Sequence, residues 1–200
     1  MSKIPRTGSL SGLAMLGGVL ALAGVAVGVG EASGQAARPP RPPARLSAHR
    51  LGPRPQAVAP GTAIPSSQLF GDRVFADDRD GFALANDGQA QYPAKTTDGG
   101  TTWRIDGPQV HVDAADGPEG VGYVGVASAR SYYAYGSQAI DVTTDGGRSW
   151  WQTFAPGLVV AVVVAPRGLL ALVQPGDGST WPYVSTDGGR RWRYSTRLGG

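Results

Sequence analysis

From Leu69 onward, short runs of alternating apolar and polar residues are separated by turn signals. Runs of this length and period 2 predict strands rather than helices. The first unit places strands over 74–76, 81–85, 92–97 and 102–105, with Asp77-Asp78-Arg79-Asp80 turning between the first two. A second unit places them over 123–126, 131–135, 140–144 and 149–154, and a third over 158–164, 169–173, 183–186 and 191–195. The run Val159-Val160-Ala161-Val162-Val163-Val164 is apolar throughout, which suits an innermost strand buried on both faces. Four strands per unit, three units and no convincing helix predict an all-β chain built as β-propeller blades.

One octapeptide recurs at the same place in each unit. Thr96-Thr97-Asp98-Gly99-Gly100-Thr101-Thr102-Trp103 returns as Thr143-Thr144-Asp145-Gly146-Gly147-Arg148-Ser149-Trp150 and as Ser185-Thr186-Asp187-Gly188-Gly189-Arg190-Arg191-Trp192. The three aspartates stand 47 and 42 residues apart, a spacing of one propeller blade. Asp-Gly favours a tight hairpin because glycine accepts positive φ without steric cost. The carboxylate accepts bonds from the turn's own amides, and the Trp supplies a large apolar surface for packing.

The octapeptide resembles the Asp-box, or BNR repeat, whose pattern is Ser/Thr-x-Asp-x-Gly-x-Ser/Thr-Trp. That repeat is known from sialidases, sortilin-type receptors, photosystem II assembly propellers and secreted propellers. The first two copies match in full, through Thr96, Asp98, Gly100, Thr102 and Trp103 and through Thr143, Asp145, Gly147, Ser149 and Trp150. The third keeps Ser185, Asp187, Gly189 and Trp192 but has Arg191 where the second hydroxyl belongs. The resemblance implies four-stranded Asp-box blades, three of them, and so an incomplete ring, since propellers typically have 4–8 blades. It also implies a structural role for the repeated residues, as hairpin locks and packing groups. Two chains completing a six-bladed ring, or a piece of a longer propeller, are the expectations that follow.

Composition divides the 200 residues. Residues 1–66 carry seven basic side chains against Glu31 alone, whereas 67–200 carry eleven basic and fourteen acidic ones. The basic excess therefore belongs to the N-terminal third and predicts no nucleic-acid footprint on the folded part. Lys3 and Arg6 precede an uncharged run over 7–30 that ends in small residues. That layout, over 1–34, predicts a secretory signal or a retained membrane anchor, and an extracytoplasmic location in either case. Eight prolines, five arginines and no acidic residue fall between Ala37 and Pro65. Residues 35–66 are accordingly expected to be a disordered spacer, with blades over about 67–107, 108–155 and 156–200. There is no cysteine, so no disulfide or thiolate site is available.

Candidate chemistry is sparse. The sialidases that this repeat resembles pair a Tyr nucleophile with Glu and clamp a carboxylate with three arginines. Glu119 is the only glutamate after residue 66, with Tyr123, Tyr132, Tyr133 or Tyr135 as partners. No arginine sits in the Phe/Tyr-Arg-Ile-Pro context of the first clamp residue, so no catalytic residue is assigned. His111 stands alone in the folded part, too few for a zinc site or triad. The acidic loops at 77–80 and 113–119 are read as connections rather than cation sites, and no metal or cofactor is expected. Tyr132, Tyr133, Tyr135, Trp151 and Trp181 are the candidates for stacking on a carbohydrate or peptide, with packing as the competing role. The function expected is a non-enzymatic module that binds a protein or glycan, or serves as a scaffold. A sialidase-like glycoside hydrolase is the alternative.

Overall fold

The computed structural model describes residues 41–52, 58–86, 90–110 and 121–196. The segment expected as a leader, together with His111, Asp113 and Glu119, lies outside them. Among the described residues no helix is long and apolar enough to cross a membrane.

Three antiparallel sheets form an incomplete propeller. Blade one contains β4 (Leu69–Phe75), β5 (Gly81–Asn86), β6 (Gln91–Thr96) and β7 (Trp103–Ile105). Blade two contains β8 (Tyr123–Ser128), β9 (Ser131–Gly136), β10 (Ala139–Thr143) and β11 (Trp151–Phe154). Blade three contains β12 (Leu158–Ala165), β13 (Gly168–Gln174), β14 (Trp181–Ser185) and β15 (Arg191–Tyr194). Within each blade, neighbours in sequence are neighbours in the sheet. Of the innermost strands, β8 adjoins both β4 and β12.

Each sheet has a fifth strand, which corrects the expected four. It comes from the segment read as spacer. β1 (Arg45–Ser47) pairs with β15, β2 (His49–Arg50) with β11, and β3 (Ala63–Ile64) with β7. The chain thus crosses the outer edges of blades three, two and one in turn. A short outermost strand leaves a row of unpaired N–H and C=O groups, and this strap pairs with all three. Proline cannot donate to a ladder, but 44–52 and 61–64 contain none. Pro composition over the whole segment masked those stretches.

Alternation along β5 sends Phe82 and Leu84 toward blade two and Ala83 and Ala85 to the opposite face. Both faces of blades one and two are packed, and the octapeptide Trp of blades two and three is turned toward the blade before it. Trp150 meets Phe82 and Tyr132 of the first junction at ring distances of 6.0 and 5.8 Å. Trp192 packs in a cluster with Ile140 and Val142 of blade two. Trp103 lies with Ala83, Ala85 and Tyr92, against Val58, Ile64 and Leu69.

The valine run is innermost, as expected, but not buried on both faces. Only Val159 and Val162 are buried, while Val160, Val163 and Val164 are exposed. Register accounts for this. Val159 pairs with Val173 and Ala161 with Leu172, so Val160 is the extra residue of a bulge. Val163 is registered with Leu170, and Leu170 with Val184. That row stands opposite the buried row of Val162, Ala171 and Tyr183, and no further sheet covers it among the described residues.

Trp192 is fully buried at the second junction. Replacing it with Ala is expected to cost about 3–5 kcal/mol, read by urea unfolding. A loss below about 1 kcal/mol would show that the junction does not depend on the indole.

Candidate functional site

The repeated aspartates bond inside their own turns, Asp98 and Asp145 through both oxygens and Asp187 through one. Asp98 Oδ1 accepts the Thr96 hydroxyl at 2.8 Å and the Thr102 N–H at 2.8 Å, and Oδ2 accepts the Thr102 hydroxyl at 2.6 Å. The Thr96 oxygen in turn accepts the Gly100 N–H at 2.9 Å. Asp145 repeats the set with the Thr143 hydroxyl at 3.0 Å, the Ser149 N–H at 2.9 Å and the Ser149 hydroxyl at 2.6 Å. Asp187 keeps the Ser185 hydroxyl and the Arg191 N–H, at 3.0 and 2.9 Å, but Arg191 has no hydroxyl for the remaining oxygen. Bonds from the Thr102 side chain and backbone hold Asp98 down at about 2, because they favour the charged form. The second glycine of each turn has φ of 85–89°, a region other residues rarely enter. The 77–80 loop is closed the same way, with Asp77 Oδ1 accepting the Arg79 and Asp80 amides at 2.8 and 2.7 Å.

The five aromatic candidates do not form one site. Tyr132 is buried in the first junction, and Tyr133 and Trp181 in the second. Trp151 is half-buried beneath Arg190, whose guanidinium lies 4.9 Å from the ring centre. Tyr135 alone belongs to an exposed group. It stacks on Tyr123 at 5.3 Å and 25°, and Tyr123 is 55% exposed. Burial raises the Tyr135 phenol, a hydrogen bond from the Val162 backbone opposes this, and Tyr123 and Asp72 raise it further. Phe70, on β4, is also half exposed. A Cβ on Gly71 would stand 3.5 Å from the Gly122 carbonyl, so the β4 bulge lies against the entry to β8. Sequence pattern marks Tyr123 only as a partner for Glu119 and does not single out Phe70 or Asp72.

A second group lies between the octapeptides of blades one and two. The Tyr132 hydroxyl donates to Asp106 Oδ2, and the Trp150 indole N–H donates to the Asp106 carbonyl at 3.2 Å. Lys95 Nζ donates to the Ala129 carbonyl at 3.1 Å, lies 4.0 Å from Asp80 Oδ1, and stands 5.8 Å from the Tyr132 ring centre. Any side chain at Gly147 would collide with Asp106. A cavity of about 410 Å³ opens beside this group, lined in part by Lys95, Arg104, Asp106 and Arg148. Neither Asp106 nor Lys95 stands out in the sequence.

No family model matches the chain, and no curated protein matches it. Among solved structures it is similar to one described as YCF48 bound to D1 peptide, at 19% identity and a TM-score of 0.36. The match covers 72% of this chain and 59% of that one, so the chain spans about three fifths of its length.

Burial raises the Asp106 carboxyl to about 7, with Lys95 opposing and Asp145 adding to the shift. A carboxyl that is harder to ionise in the folded state stabilises most at acid pH. Its contribution is lost as pH rises from about 4, where the unfolded chain ionises, to about 7, where the folded chain does. Asp106→Asn is therefore expected to match wild type near pH 4 and to exceed it by about 1–4 kcal/mol at pH 8. Urea unfolding across that range checks this. A pH-independent difference would contradict the burial of an ionising group.

Proposed function

We propose that the chain is an extracytoplasmic, non-enzymatic propeller module that binds a protein or glycan through its innermost strands. The observation that carries this reading is the exposed Tyr123–Tyr135 stack on β8 and β9, with Phe70 also exposed on the adjoining strand β4. Solvated aromatic faces offer a large contact area to sugar rings and apolar side chains. Export rests on Lys3, Arg6 and the uncharged run that follows.

The full chain, tested on arrays of immobilised oligosaccharides and of peptides, is expected to bind on one of them. Phe70→Ser with Tyr123→Ser should abolish that binding. Phe154→Ser, which alters an exposed ring stacked on His49 instead, should leave it intact. Equal loss in both variants would contradict the inner-strand surface. Hydrolysis of 4-methylumbelliferyl sialoside that disappears in Glu119→Gln would instead make the chain a hydrolase.

A further inference from the structure

The two junctions between blades share one plan, and the repeat makes each a control for the other. At the second junction the neighbours are neutral. Any side chain on Gly189 would collide with Val142, and the Trp192 indole N–H reaches Thr153 Oγ1 at 3.2 Å. Leu169 packs in the same cluster, and Arg190 lies over the Trp151 ring.

Octapeptide alignment and strand register give the equivalents at the first junction. Lys95 stands in the place of Val142, Asp106 in that of Thr153, and Arg104 in that of Trp151. Tyr132, registered with Thr143, takes the place of Leu169, registered with Ser185. Arg148 keeps the position of Arg190. Four neutral groups are thus exchanged for polar or charged ones at one junction only. The arginine that lies on an aromatic ring at the second junction faces another arginine's position at the first. Where Trp151 and Arg190 stack, Arg104 and Arg148 line an open cavity of about 410 Å³.

The exchange is unfavourable for folding alone. It sets two like charges on one cavity and half-buries a carboxyl, when the second junction shows that neutral residues build the same contact. We propose that the cavity between the first two blades binds a small ligand through an oxyanion group held by Arg104 and Arg148. A guanidinium presents parallel N–H donors that match the oxygens of a carboxylate, phosphate or sulfate. An anion between the two arginines also offsets their mutual repulsion. Arg104 is steadied at the cavity edge by a bond to the Gly61 carbonyl at 3.0 Å, on the strap. Lys95 adds positive charge, and Asp106, bonded to Tyr132, faces the same space. This site is separate from the inner-strand surface and does not rest on its function.

Titration of the full chain with sodium sulfate and with sodium succinate, against chloride at equal ionic strength, tests the site. Sulfate stands for tetrahedral oxyanions and succinate for carboxylates, and the anion that saturates at one per chain identifies the class. Arg148→Ala is expected to weaken it roughly tenfold or more. Arg104→Trp, which copies the second junction, should remove saturable binding while the thermal midpoint is kept. If Arg104→Trp fails to fold, the exposed Arg148→Ala alone decides. Absence of saturable binding of either anion, or unchanged binding in the variants that fold, would overturn the proposal.

Discussion

The fold depends on a contact made where two glycines enter positive φ. A carboxylate and one or two hydroxyls close each octapeptide turn, and in blades two and three this brings the second glycine against the preceding blade. At Gly147 that neighbour is Asp106, and at Gly189 it is Val142, with no room for a Cβ at either. The Trp three residues later enters the same junction. Local turn chemistry and blade-to-blade packing are therefore one constraint, and the blade spacing follows from repeating it. The carboxylates serve this contact with all the acceptor capacity their turns engage, which leaves little for chemistry elsewhere.

The outer and inner edges are treated differently. Strap residues pair with the short outermost strands, so those edges are not left as templates for another chain. Among the described residues no further strand pairs with the inner edges of the innermost strands, and each of these strands carries a bulge. Val160 is the bulge residue of β12 and is exposed, and Phe70 and Tyr123 are exposed on regularly paired stretches of β4 and β8. These exposed side chains are the ones on which the proposed binding surface rests.

Much of this architecture is legible in the amino-acid pattern. Twelve strands and their grouping follow from alternation and the period of the octapeptides. The hairpin role of Asp98, Asp145 and Asp187 follows from turn chemistry. The strap does not, because strands of two or three residues carry no periodicity and the prolines around them dominate composition. Alternation correctly sends Tyr132 and Tyr133 to opposite faces, but both faces of a middle blade are buried, so neither is free for a ligand. The difference between Lys95 and Val142, or Arg104 and Trp151, is visible in an alignment of the repeats. Its meaning is not, since nothing in the sequence says that these positions lie at the junction with the next blade.

At the first junction, charged groups occupy places where the neighbouring junction shows neutral ones to suffice. That contrast separates what the fold requires from what has been added to it. The unfolding free energy of the chain carrying Lys95→Val and Asp106→Thr, measured in urea at pH 8, tests it most directly. The variant copies two residues of the second junction, and it is expected to be at least as stable as wild type. A loss of more than about 1 kcal/mol would show that the charged pair holds the blades together and contradict this account.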